Sequence, residues 1–205
     1  MTGTLIDAPA APSLVRTLTE RGETLAFCES LTAGLASATV ATVPGASNVL
    51  RGGLVTYATD LKGSLAGVPA EVLDRHGPVS AVTARHMARG AQSVCGATWG
   101  VALTGVAGPD PQDGHPVGEV YIAVAGPSRT VSQPAAEILG DVACAPELSQ
   151  FALVPGAREP VRVLVGERQQ IRELAVSAAL AAVLYEAERE VAREQTREQN
   201  GGDDR

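Results

Sequence analysis

Aromatic side chains are nearly missing from this sequence: Phe, Trp and Tyr together make up 3% of its 205 residues. Ala, Val and Leu must therefore fill the core. Cysteine is scarce too. Cys28, Cys95 and Cys144 are odd in number and far apart, which excludes a disulfide framework or a CxxC metal pair. Cys28 and Cys95 stand in apolar surroundings and read as small core residues. Positive charge is in deficit: the formal net charge of −7 argues against a nucleic-acid partner, whose phosphates would need Lys and Arg to neutralise them. A local basic pocket for one phosphate is still allowed. No apolar run approaches the ~18 residues that a membrane span needs. The first seven residues show no basic region followed by an apolar stretch, so the expected compartment is the cytoplasm, with no membrane partner. His76, His86 and His115 lack HxxxH spacing and a neighbouring cysteine pair, so zinc is not expected. GxSxG, GxGxxG and GxxxxGK[ST] are all absent, which disfavours an α/β-hydrolase, a dinucleotide fingerprint and a P-loop.

What is present suits one domain. Apolar residues make up 45% and charged ones 19%, while 22 glycines and 13 prolines predict many tight connections between short elements. Residues 1–12 read as a flexible lead-in. A short helix with Leu14, Val15 and Leu18 on one face is ended by Gly22. Residues 24–28 form a short apolar run and read as a buried strand, leading into an Ala-rich helix over about 32–43. Further strands are predicted at 52–57, 99–103 and 118–125. Short helices follow Asp60 and Pro69, and Ser80 caps a helix through Cys95. The final helix runs from Glu167 to about Arg193, with Ile171, Leu174, Ala175, Ala178, Ala182 and Tyr185 as its apolar stripe. Residues 194–205 read as a disordered charged tail. Strands alternating with helices point to an α/β sheet covered on both faces.

Three segments hold residues suited to chemistry. Ser30 and Thr32 follow a buried strand just before a helix, where amides stabilise negative charge; they also read as simple helix caps. Tyr57 and Lys62 flank a strand end, and a lysine whose pKa is lowered by burial is a general base, whereas most lysines are solvated. Thr104, Gly105 and Gly108 belong to a glycine-rich loop at a strand end, where ligands of open α/β sheets gather, although an ordinary loop exit has the same look. Asp110, Asp113 and Glu119 are acidic enough for Mg²⁺ but sit where solvated charges are usual.

Together these segments resemble the C-terminal domain family of the competence-damage-inducible protein CinA, which also occurs alone as nicotinamide-nucleotide amidohydrolase. The resemblance is carried by CESLTAG at 28–34, the stretch 43–68 with LVTYATDLKG inside it, HGPVS at 76–80, LTGVAGPD at 103–110, PVGEVYIAVAG at 116–126 and GERQQIR at 166–172. It spans about residues 13–190. It implies a three-layer α/β/α fold with a mixed, roughly five-stranded sheet, assembled as a homo-oligomer (dimer or higher). It also implies hydrolysis of the carboxamide of nicotinamide mononucleotide to nicotinate mononucleotide and ammonia, in pyridine nucleotide recycling. Ser30 matches the nucleophile, and Tyr57 and Lys62 match the residues that activate it; which of the two takes the serine proton stays open. Thr32, Gly34, Thr104, Gly105 and Gly108 would bind phosphate or the oxyanion, with Arg168 as a phosphate contact. The chemistry needs neither metal nor cofactor. A catalytically silent nucleotide-binding or interaction module is the alternative, and a magnesium-dependent phosphoryl-transfer enzyme ranks third.

Two departures stand out. The family commonly carries two glycines where this chain has Ala33-Gly34, an extra methyl expected to narrow the pocket. Residues 127–160 are longer than the family's usual connection and hold five prolines (127, 134, 146, 155 and 160). They are expected to form an exposed excursion near the pocket or an oligomer contact.

Overall fold

A continuous apolar run becomes the buried centre of the sheet. β1 (Leu25–Glu29) is buried along its whole length, with β2 (Leu50–Val55) and β3 (Trp99–Gly105) parallel to it on either side. β4 (Val120–Ala125) pairs antiparallel with β3, and β5 (Thr130–Pro134) antiparallel with β4. The order β2-β1-β3-β4-β5 is the mixed five-stranded sheet that the resemblance implied. The computed structural model describes residues 10–143, 146–155 and 157–201.

The two faces of the sheet differ in bulk, because alternate strand residues point to opposite sides. One face presents Leu25, Phe27, Val101, Leu103, Ile122 and Val124 to α1 (Ala10–Arg21), α2 (Leu35–Ala41), α6 (Ala135–Ala143) and α7 (Arg168–Gly201). The other presents Ala26, Cys28, Ala102, Ala123 and Ala125 to α5 (Ala81–Cys95), beside α3 (Thr59–Ser64) and α4 (Ala70–His76). Small residues let α5 lie very close: a Cβ built at Gly100 would stand 2.0 Å from the Ala88 carbonyl oxygen. Trp99 is buried and its indole N–H donates to Glu23 (2.7 Å), which satisfies its only polar group.

Several elements differ from the reading of the sequence. α1 already begins at Ala10, inside the expected lead-in, and residues 1–9 lie outside the described residues. α2 begins at Leu35 rather than at 32, because residues 31–34 make a turn first. α7 continues to Gly201, past the expected end at Arg193, so residues 194–201 are helical rather than disordered. Its stripe is buried at Ile171, Ala175 and Ala178, but Tyr185 is 54% exposed. Arg129 grips Glu186 through two hydrogen bonds (2.9 and 2.7 Å), tying α7 to the β4–β5 turn.

The long proline-bearing segment is only partly an excursion. It supplies β5 and α6, whose Ala135, Ala136, Ile138 and Leu139 are buried against the rest of the core. After α6 come a single 3₁₀ turn (Pro146–Leu148) and a small hairpin of β6 (Ser149–Ala152) and β7 (Val161–Leu164). Val163 and Leu164 are buried, whereas Phe151 and Leu153 are exposed. Cys28 is fully buried as expected, Cys95 is only partly so, and Cys144 lies outside the described residues.

Candidate active site

Ser30 sits where β1 leaves the sheet, and its amide donates to the Leu103 carbonyl of β3 (2.9 Å). The 31–34 turn then leads into α2. Glu29, only 1% exposed, turns its carboxylate onto the start of that helix. It accepts from the amides of Gly34 (2.9 Å), Ala36 (3.0 Å) and Ser37 (2.9 Å) and from the Ser37 hydroxyl (2.7 Å). A helix start is normally an anion site; here the chain fills it with its own carboxylate. The Gly34 amide is thus committed, and neither Thr32 nor Gly34 lines the cleft.

β2 and α3 bring the base into place. The Thr56 amide donates to the Glu29 carbonyl (2.8 Å), and α3 carries Lys62 back beneath Ser30. Lys62 Nζ lies 3.1 Å from Ser30 Oγ and 3.0 Å from the Thr56 carbonyl oxygen. The side chain is 2% exposed. Among the described residues no carboxylate pairs with it. Burial therefore lowers its pKa from the ordinary 10.5. Cys28 is the one neighbour that could oppose this as a thiolate, but burial pushes its own pKa up to about 11, so near neutrality it stays protonated and gives no counter-charge. A neutral amine here can accept the serine proton while still donating to Thr56.

Ser30 and Lys62 open into a cleft at the strand ends, where ligands of open α/β sheets gather. Thr104, Gly105 and Gly108 line it, together with Asp110 and Gln112 of the same loop. Tyr57 also lines it, 55% exposed, and its hydroxyl accepts from Arg168 (2.9 Å) instead of meeting Ser30 or Lys62. Arg168 donates as well to the Gly108 carbonyl (2.6 Å), so it bridges the two rims. The amides of Ala107 and Gly108 find no backbone acceptor among the described residues. Behind this loop, His115 and Glu119 are buried and bonded to each other (2.9 Å), away from the cleft. Among the described residues no three His, Cys, Asp or Glu side chains converge as a metal site requires.

The family model for the CinA C-terminal domain matches residues 7–141. The chain belongs to that family. A CinA-like protein of Frankia casuarinae is 44% identical over 149 residues, covering 73% of this chain and 34% of its own length. A competence-damage inducible protein of Streptococcus pneumoniae is 49% identical over 115 residues, 56% of this chain and 28% of that protein. The chain thus spans about a third of the curated relatives it matches. Among solved structures, a competence/damage inducible protein from Agrobacterium tumefaciens aligns with a TM-score of 0.71 at 27% identity, over 90% of this chain and 96% of its own. A CinA superfamily protein from Enterobacter cloacae aligns at 0.72 and 25% identity, over 91% and 95%.

The CinA domain match stops before α7, yet α7 supplies two cleft-side arginines. Arg168 was expected. Arg172 was not: its Nε donates to the Leu31 carbonyl (3.1 Å) and its Nη2 to the Thr32 carbonyl (2.9 Å). The signal was present in the sequence. Two arginines one turn apart open a helix whose first turn has no acid, where positive charge opposes the helix dipole. Glu29 gave no comparable signal, since a buried capping carboxylate looks like any other glutamate. The methyl of Ala33, expected to narrow the pocket, is exposed and does not line it; its effect falls on the backbone, where Ala33 adopts a φ of 50°.

Proposed function

We propose that the cleft hydrolyses the carboxamide of nicotinamide mononucleotide, giving nicotinate mononucleotide and ammonia. The observation that carries this reading is a buried lysine with no carboxylate partner, 3.1 Å from a serine hydroxyl at a strand end. Ser30 Oγ attacks the amide carbon as neutral Lys62 takes its proton. The tetrahedral oxyanion draws on free backbone amides near the cleft. When the C–N bond breaks, the Lys62 ammonium protonates the departing nitrogen, and ammonia leaves an ester on Ser30. Water then attacks the ester, losing a proton to Lys62, which returns it to Ser30 as the carboxylic acid forms; the acid then ionises to nicotinate, giving its proton to solvent. Arg168 at the rim suits the 5′-phosphate, and to reach it must release Tyr57. Tyr57 belongs to substrate closure in this reading, and Lys62 is the base.

Ammonia release from nicotinamide mononucleotide in EDTA, compared between the natural protein and Ser30→Ala, tests the reading. We expect release by the first and a fall of about 10⁴-fold or more in the second. A folded natural protein that binds the nucleotide but releases no ammonia would instead make this a silent nucleotide-binding module. Assembly as a homo-oligomer belongs to the same proposal, and light scattering should give a mass of two chains or more.

A further inference from the structure

Arg168 and Arg172 stand one turn apart on α7 but meet different groups. Arg168 lines the cleft; Arg172 does not, and donates to the backbone just after Ser30 and to the Gln169 side chain. We infer that Arg172 is a positioning residue: by gripping the Leu31 and Thr32 carbonyls it fixes the turn after Ser30, and with it Ser30 Oγ and the amide of Leu31 at the cleft. This inference rests on the hydrolase reading of the cleft.

The 30–34 turn is held from two sides. Glu29 accepts from amides at its far end, beginning with Gly34, while Arg172 donates to the carbonyls of Leu31 and Thr32. Ala33 donates to the Ser30 carbonyl across the turn (3.1 Å). The amides of Leu31 and Thr32 are then left with no backbone acceptor among the described residues. A trans peptide directs its N–H opposite to its C=O. Pinning the Leu31 carbonyl towards α7 therefore turns the Thr32 N–H away from α7. The Thr32 hydroxyl, in a side chain that is 0% exposed, has no partner either. Thr32 is buried away from the cleft, so of the two free amides of this turn only that of Leu31 belongs to a residue lining it, directly after the nucleophile. Lysine could not grip the turn in the same way, since only the planar fork reaches both carbonyls at once.

The test compares the natural protein with Arg172→Ala and Arg172→Lys in ammonia release from nicotinamide mononucleotide. Diisopropyl fluorophosphate labelling of Ser30, read by mass, supplies a second measure that needs no amide substrate. For Arg172→Ala we expect kcat to fall about 100-fold with KM little changed, as for small misplacements of reacting groups. Labelling should slow in parallel, and added guanidinium chloride should restore part of both rates. Arg172→Lys should show the same pattern to a smaller degree, and it carries the test if Arg172→Ala does not fold. A rise in KM alone, or a fall in kcat that guanidinium leaves unchanged, would overturn the inference. Should the natural protein label at Ser30 yet release no ammonia, the hydrolase reading fails, while equal labelling of natural and variant proteins would sink the positioning role by itself.

Discussion

Of the 16 Lys and Arg residues in the chain, only Lys62 is a lysine. Arginine stays charged in any protein environment, whereas a buried lysine loses its proton readily. The one cation able to become a base is therefore the one placed under Ser30. With its pKa lowered from 10.5 by burial, kcat/KM should rise with pH along a limb whose midpoint lies below that value, then level off. Lys62→Arg should abolish the limb and cost about 10³-fold in rate; a pH–rate profile unchanged by this substitution would remove Lys62 from the chemistry. The same shift has a stability consequence. A lysine whose folded pKa is depressed stabilises fully above its unfolded value and loses that contribution as pH falls through the folded one. Lys62→Met should thus raise the stability at pH 7 by about 1 kcal/mol, with the gain shrinking towards pH 10 in parallel thermal melts.

At the scale of elements, the 31–34 turn sets both the site and a local cost. Ala33 holds a left-handed φ of 50°, which disfavours a side chain by roughly 1–2 kcal/mol. Ala33→Gly should relieve this against about 0.4–1 kcal/mol of added freedom in the unfolded chain, for a net gain of about 0.5–1 kcal/mol in urea melts. Strands such as β1 and β3 were legible because both faces are buried and the run is continuously apolar. β5 was not: Thr130–Pro134 is mostly polar and half-exposed at the sheet edge, so periodicity had nothing to register. α6 was hidden for another reason: it is apolar but short, and Pro127, Pro134 and Pro146 around it read as a loop. Ser30, Lys62, Thr104, Gly105, Gly108 and Arg168 were all placed at the cleft by their motifs. The Gly34 amide was misjudged because nothing in the spacing says that Glu29 folds back onto its own helix.

For the molecule as a whole, unequal faces fix how the layers meet. The alanine-rich face leaves no room between α5 and β3, so Gly100→Ala should destabilise by on the order of 3 kcal/mol, read as a lower urea midpoint. An unchanged midpoint would mean that α5 can slide outward freely. The opposite face depends on α7, whose Ile171, Ala175, Ala178 and Ala179 cover the larger strand residues. That helix also delivers Arg168 to the cleft and Arg172 to the turn behind Ser30, both from beyond residue 141, where the family match ends. The smallest transplantable unit is accordingly longer than the stretch by which the family is recognised. A fusion or a recombination breakpoint at residue 141 would cut through α6, bare one side of the sheet and remove both the cleft arginine and the one that braces the turn after Ser30 in a single step.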